Sequence, residues 1–415
     1  MALHRKALRL AHRHVWQRLP PSLRRAALIR TTSLLAPRPQ QEIAPTQPIF
    51  VAGVLRTASG LGQSARLSYE ALSQLGFDTF GVDLTGGLMQ PDDLADYRYR
   101  DGRLHAGPGT VLLHVNGPLV PLALMHLRRD FVRGKHIIGY WAWELDQVPD
   151  EWRAGVPFVH EVWVPSQFTA TAVSRIADGK AVRTAPHPVA VRPHAAAVRQ
   201  AAPFRVLVIF NCASGFERKN PCAAIAAFRQ AFGADPTSEL LIRASHLDSH
   251  PSARRQLEAA IGGQDNIHLI HGVAPAADID KQYEAADVLL SLHRAEGFGL
   301  VPAEAMLRGL PVVGTNWSGN VDFMNESNSC PVRYTLVPAR DPQRVYDYPR
   351  WTWAEPDIAH AAHLLRRLRD DTGYRARIGE QAAKDAAELF SPRAYGAHMR
   401  ALLEQTPVAT PAASH

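Results

Sequence analysis

The 415-residue chain contains no uninterrupted apolar run of 18 residues, so nothing in it reads as a membrane-spanning helix. Its start lacks the apolar block of a secretory leader. Cysteine is scarce: Cys212, Cys222 and Cys330 stand far apart with no C-x-x-C spacing. That excludes a disulfide framework and a cysteine-built zinc site, and it fits a reducing, cytoplasmic setting. No short repeat recurs, which excludes solenoid architectures. Acidic residues are missing from residues 1–40, which hold nine Lys or Arg; against a whole-chain charge of +7, the other 375 residues sum to −2. The basic character therefore belongs to an N-terminal arm, residues 1–45, and not to the body.

In that arm Leu8, Ala11, Val15 and Leu19 recur at roughly helical spacing among Arg5, Lys6, Arg9, Arg13 and Arg18. A basic amphipathic helix on an anionic membrane surface is one account, and it would make the protein peripheral on the inner face of a membrane. A disordered, solvated tail is another, and the Arg-rich, acid-free composition also suits an organellar transit peptide. Nucleic acid is not an expected partner, because the body adds no basic platform interleaved with aromatics.

What the chain does contain is an alternation of apolar runs and helix-patterned segments, long enough for two cores. "PIFVAGVL" (48–55), "FDTFGVDL", "GTVLLHVN", "KHIIGYWAWE" and "EVWVPS" read as buried strands. A second set begins near Phe204 with "FRVLVIFN", "ELLIRASH", "NIHLIHG", "DVLLSLH" and "PVVGTNW". Strand-then-helix repetition implies parallel sheets covered on both faces. The class is therefore α/β, with two Rossmann-like doubly wound domains facing a cleft, residues 46–195 and 196–390. The aperiodic stretch 189–204 is the linker candidate. Residues 406–415 read as a disordered tail.

The stretch "HRAEGFGLVPAEAMLRGLPVVG" (293–314) carries the chemistry. It follows a strand, and in such sheets ligands bind at the carboxyl ends of strands. Gly297 and Gly299 allow close backbone approach, and Pro302 suits the first position of a helix. The helix start offers unpaired N–H groups and a positive dipole end, a seat for phosphate. Glu296 stands before that seat and Glu304 within the expected first helical turn. A carboxylate accepts two hydrogen bonds side by side, which suits the vicinal hydroxyls of a ribose or a hexose. A ligand with a sugar at each end of a diphosphate, a nucleotide sugar, satisfies the spacing.

The longer segment "HRAEGFGLVPAEAMLRGLPVVGTNWSGNVDFM" resembles the donor site of the retaining nucleotide-sugar glycosyltransferases of family 4, the group 1 enzymes of GT-B fold. The resemblance extends over roughly residues 48–400 and is strongest over 204–325. It implies that Glu296 contacts the transferred sugar, that the turn Gly297, Phe298, Gly299 with Leu300 contacts sugar or phosphates, and that Glu304 binds the ribose. It also implies a positive pair after the first strand of the second domain. In "VLVIFNCASGFERKNP" Lys219 matches the family lysine, and Arg218 is the arginine candidate, although the family's arginine usually lies further upstream. A cation fixed at the departing diphosphate stabilises the charge that grows in the transition state. "PHPV" (186–189) resembles the family's approach to its interdomain linker, and 391–405 the last helix that returns to the first domain. No metal and no cofactor are called for beyond the donor.

On the acceptor side, "LLHVNGP" places His114 and Asn116 at a strand end, where many family members carry a catalytic His or Asp. "GYWAWELDQVP" resembles a segment of polysaccharide-assembly members, with Glu144 as acceptor-side candidate and Trp141 and Trp143 as core or sugar-stacking aromatics. The resemblance thus implies a saccharide or lipid-linked saccharide acceptor and a role in surface polysaccharide synthesis. Gly60 and Gly62 of "ASGLGQSA" match the family's first Gly-rich loop. The same glycines, with Ala65 and Asp83, form a G-x-G-x-x-A pattern that also reads as a dinucleotide site of an oxidoreductase, but they fall five residues late for a tight strand-to-helix turn. A phosphorylase of similar fold and a non-catalytic sugar-binding protein are further alternatives. The base-contacting region is expected near Gly272 and Val273.

Overall fold

The computed structural model describes residues 20–189 and 203–404. The proposed amphipathic pattern from Leu8 to Leu19, most of the linker candidate and the C-terminal tail lie outside these residues. Expected as the end of an arm, residues 20–46 are instead laid along the first domain. They begin with the helix Pro21–Leu35, entered through Pro20, and Arg25 pairs with Glu151. The extended chain beyond is tied down by backbone groups: the Gln40 and Ile43 carbonyls each meet a histidine, His160 and His136, and Thr46 exchanges bonds of 2.8 Å with Thr110.

The first sheet holds six parallel strands, β1 (Ile49–Gly53), β2 (Thr79–Asp83), β3 (Gly109–His114), β4 (Lys135–Tyr140), β5 (Glu161–Val164) and β6 (Val182–Thr184), in the order β2-β1-β3-β4-β5-β6. The second holds β7 (Phe204–Asn211), β8 (Ser238–Ser245), β9 (Ile267–His271), β10 (Val288–Ser291), β11 (Val312–Thr315) and β12 (Cys330–Val332), in the order β12-β11-β10-β7-β8-β9. All ten strands read from the apolar runs are present. They were legible because helices cover both faces of each sheet, so nearly every position of a strand such as β1 or β3 is buried. The short strands β6 and β12 have no such run. Neither has the antiparallel hairpin of β13 (Tyr334–Pro338) and β14 (Thr352–Pro356), which stands apart from both sheets.

Each sheet has an apolar layer on either face. One face of the first packs around Phe50, Val111, Trp141 and Phe158, the other around Ile49, Leu72, Leu112 and Trp163. The last described helix, Pro392–Glu404, gives Tyr395, Met399 and Leu402 to that second layer, so this helix packs against the first domain. The hairpin makes the reverse crossing: Tyr346 of its loop and Trp353 of β14 join the layer that contains Trp143 and Trp152. Strand order reverses between β1 and β3 and between β7 and β10, and such switch points open a crevice beyond the carboxyl ends of the strands. The two crevices face each other.

Candidate functional site at the domain cleft

Loops that leave β7 and β10 build the second domain's wall. β7 ends at Asn211, and a short turn, Phe216–Lys219, presents Arg218 and Lys219. β10 leads to Glu296, whose backbone is held on both sides by the turn after β11: its N–H donates to Ser318 Oγ at 2.7 Å, and its carbonyl accepts from the Gly319 N–H at 2.8 Å. The Glu296 carboxylate pairs with Lys219 through Oε1 and lies 3.2 Å from Arg218 Nη1 through Oε2. Burial pushes this carboxyl up, but the Lys219 and Arg218 cations outweigh burial and hold it at about 2. Glu296 is therefore an anion throughout the physiological range.

The two cations differ in what they can offer. Lys219 keeps 19% of its side chain exposed. Arg218 is 2% exposed and spends its donors on protein, the Ala295 carbonyl at 2.7 Å, the Ser214 carbonyl at 2.8 Å and Glu296 at 3.2 Å, with the Glu144 carboxylate 3.8 Å away. Burial opposes its charge, and Tyr346, Glu296 and Glu144 together more than compensate, so the guanidinium is held above its ordinary range. The pair expected at a diphosphate is thus one available ammonium and one guanidinium built into the wall.

The helix after the Gly-Phe-Gly turn runs Leu300–Leu307, capped by Gly299 at a φ of 102° that favours glycine. It begins two residues earlier than Pro302 suggested, so Pro302 is its third residue and Glu304 its fifth, two residues further in than expected. Gly297 also departs from expectation. Its carbonyl accepts from Ser166 Oγ at 2.6 Å, a Cβ there would stand 2.9 Å from the Trp143 carbonyl, and Gly319 abuts its backbone, so this glycine permits protein packing rather than ligand approach. Phe298 is buried between His187 and Phe323. Glu304 accepts from the Tyr283 hydroxyl at 3.0 Å through Oε2 and from Gln63 Nε2 of the first domain at 2.9 Å through Oε1. Burial raises its carboxyl, which Arg308, Tyr283 and Gln63 offset only in part. Gly272 has a φ of 105° and its carbonyl accepts from Arg243, beside the exposed Val273.

Across the cleft, the loop after β1 folds back on itself. Ser59 Oγ caps the Gly62 N–H, Arg66 Nη1 donates to the Leu55 and Thr57 carbonyls at 2.9 Å, and a Cβ on Gly62 would meet the Thr57 carbonyl at 2.3 Å. Gly60, by contrast, faces open space. Asp83, the acidic residue of the dinucleotide pattern, is 8% exposed and turns Oδ1 inward onto Thr85 at 2.6 Å. His114, placed at the cleft by its strand-end position, is instead enclosed at 1% exposure. Its Nδ1 lies 2.9 Å from Ser64 Oγ, which also approaches His187 Nδ1 at 3.1 Å, while Tyr140 donates to the Ala185 carbonyl and lies 3.0 Å from that same His187 nitrogen. Burial, reinforced for His114 by His187, pushes both imidazoles down to about 3, so they are neutral. Asn116 precedes the turn Gly117–Leu119 without capping it through its side chain, and its Oδ1 accepts from the Ala142 N–H. Glu144 faces the second domain: Tyr346 donates to it at 2.9 Å, and Arg218 stands 3.8 Å away. Trp141 and Trp143 are core aromatics, packed against Trp152.

Gln63, Tyr283, Tyr346 and the Ser318–Gly319 turn were not singled out in the sequence. Of these, the Ser318–Gly319 turn lies inside the resembling segment and Gln63 inside the Gly-rich loop. Among the described residues no group of three or more His, Cys, Asp or Glu is placed to hold a metal, and no helix is long and apolar enough to cross a membrane.

Two facing parallel-sheet domains with an acidic and basic cleft define the GT-B glycosyltransferase architecture. Residues 166–382, just over half of the chain, match the family described as family 4 glycosyltransferases in conflict systems, and the chain belongs to that family. Among curated proteins it is 27% identical over 182 residues to a D-inositol 3-phosphate glycosyltransferase of Salinispora arenicola, a match covering 44% of this chain and about a third (34%) of the relative's length. Among solved structures, the sucrose-phosphate synthase of Thermosynechococcus elongatus superposes with a TM-score of 0.63 at 18% identity, over 88% of this chain and 100% of that one. HepE of Anabaena, solved with UDP and glucose, gives 0.58 at 14% identity over 86% and 100%. TarM of S. aureus gives 0.53 at 14% over 72% of this chain and 55% of its own. At these identities the likeness is one of fold.

Proposed function

We propose that the protein is a retaining glycosyltransferase that moves a sugar from a nucleoside diphosphate donor to a saccharide or lipid-linked saccharide acceptor. The observation that carries this reading is the second-domain wall: Lys219 on Glu296, with Glu304 one helix further on, at the β7/β10 switch point opposite the Gly60 loop. An anionic Glu296 aligns hydroxyls of the transferred sugar, Lys219 meets the diphosphate, and Glu304 takes the ribose. Lys219 neutralises charge on the leaving diphosphate as the bond from the sugar's anomeric carbon to the phosphate oxygen breaks. The acceptor oxygen bonds to that carbon on the same face, and its proton passes to the departing phosphate, so no protein nucleophile or metal is invoked. Glu144, held by Tyr346 and Arg218, is the carboxylate best placed to orient the acceptor. A peripheral place on the cytoplasmic face of a membrane, through residues 1–40, and a role in surface polysaccharide synthesis belong to the same proposal.

Thermal unfolding with UDP-, GDP- and ADP-sugars, and with NAD, tests it. A ligand at 100 times its Kd adds roughly 2.7 kcal/mol of apparent stability. The expected result is a shift with one nucleotide sugar that Glu304→Ala abolishes. A shift with NAD alone would sink the transferase reading and move attention to the Gly60 loop.

A further inference from the structure

Glu304 is fixed by both domains at once. Its own domain secures Oε2 through the Tyr283 hydroxyl, a side chain 3% exposed, and secures the helix behind it through Arg308, which pairs with Asp280 and donates to the Glu304 carbonyl. Oε1 is left to the opposite wall, where Gln63 Nε2 takes it across a sequence separation of 241 residues. Gln63 is well aimed. It lies in the first turn of the helix Gly60–Gln74, its own N–H donates to the Ser59 carbonyl at 2.8 Å, and Arg66 ties that helix to the loop before it. The Gly60 loop is also drawn to the second domain by Asn211 Nδ2, 3.4 Å from the Ala58 carbonyl.

A ribose diol binds a carboxylate by presenting two neighbouring hydroxyls to both of its oxygens. At Glu304 that requires Oε1 on the cleft side, the position the Gln63 amide fills. We propose that Gln63 is a positioning residue that competes with the nucleotide's ribose for Glu304, so that donor binding exchanges an amide donor from the first domain for ribose hydroxyls. The inference rests on Glu304 as the ribose carboxylate. Because burial already disfavours the Glu304 anion, the Oε1 bond is not given up unless another donor replaces it. Ribose with both hydroxyls supplies that donor, and a ribose lacking them does not. The exchange therefore makes Gln63 a filter for the diol as well as a tie between the domains.

The test is calorimetric titration of the full chain with UDP, GDP and ADP, and with the 2′,3′-dideoxy form of whichever binds, using wild type, Gln63→Met and Glu304→Ala. Methionine keeps the length of the side chain and removes its donors. Hydrogen bonds to a charged group imply that Gln63→Met binds the preferred nucleotide roughly tenfold more tightly than wild type. The dideoxy form, which leaves the Gln63 bond in place, gains nothing. Equal or weaker binding by Gln63→Met overturns the proposal, as does an equal gain with the dideoxy form. If Glu304→Ala leaves nucleotide affinity unchanged, the ribose assignment itself fails, whatever Gln63→Met does. Binding by Gln63→Met alone, with none by wild type, supports the competition, and no binding by either removes both.

Discussion

Lowering the pH from 7.5 to 5.5 tests the buried polar chain that joins Tyr140, His187, Ser64 and His114. Tyr140 gives its proton to the Ala185 carbonyl, so His187 Nδ1–H donates to Tyr140 and Ser64, and Ser64 donates to His114 Nδ1. That leaves His114 Nε2 as a buried group with no partner among the described residues. Among the described residues neither ring has an acid beside it to stabilise an added proton, and both are held near 3 in the folded protein. Unfolded, each titrates near the ordinary value of about 6.5. A histidine depressed by folding contributes stability that is fully present above the unfolded pKa and lost as the pH falls below it, because the unfolded chain takes up the proton first. Between pH 7.5 and 5.5 that loss comes to about 1.4 kcal/mol for each ring, or about 2.7 kcal/mol for both, from the linkage relation. Urea unfolding at the two pH values, for wild type, His114→Asn and His187→Asn, reads it directly. Each variant should lose about 1.4 kcal/mol less than wild type over this interval, whatever its absolute stability. The other histidines cancel in the difference. Identical pH dependence in all three proteins would refute the assignment of neutral, folding-depressed rings.

Two further outcomes follow from the cleft. Lys219→Met removes the partly exposed cation from the Glu296 pair, and loss of one preorganised charge-stabilising group predicts a fall in kcat of about 10²–10³-fold. Turnover of the nucleotide sugar that stabilises the protein measures it, and an unchanged kcat would remove Lys219 from the chemistry. Gly319→Ala places a Cβ 2.3 Å from the Gly297 carbonyl, in a turn that also binds the Glu296 backbone. Overpacking of this kind costs about 1–3 kcal/mol, so the urea midpoint should fall, and a midpoint equal to wild type would contradict the close approach.

The strands β1–β5 and β7–β11 were legible because a parallel strand covered on both faces must be apolar at nearly every position, which is a local property of the chain. Glu296, Gly299 and Glu304 were legible for a similar reason: a strand end, a glycine at positive φ and a helix start lie within a dozen residues of one another. Where local signal was thin the reading slipped. Nine cations without an acid read as an arm, yet residues 20–46 bind the first domain through backbone carbonyls that no composition reveals. A half-exposed hairpin, β13 with β14, has no apolar run to mark it, although its Tyr346 crosses to Glu144.

By itself, then, the sequence determined the two sheets, the loop and helix that bear Glu296 and Glu304, and the lysine that pairs with Glu296. Tertiary structure decided how each of these residues is used. It buried Arg218 among carbonyls and carboxylates, enclosed His114 as a neutral ring, turned Gly297 toward protein, and gave Glu304 a partner 241 residues away. Apolar periodicity and backbone conformation are written into neighbouring residues. Desolvation, ion pairing and hydrogen bonding across a cleft depend instead on how two separately folded sheets come to face each other.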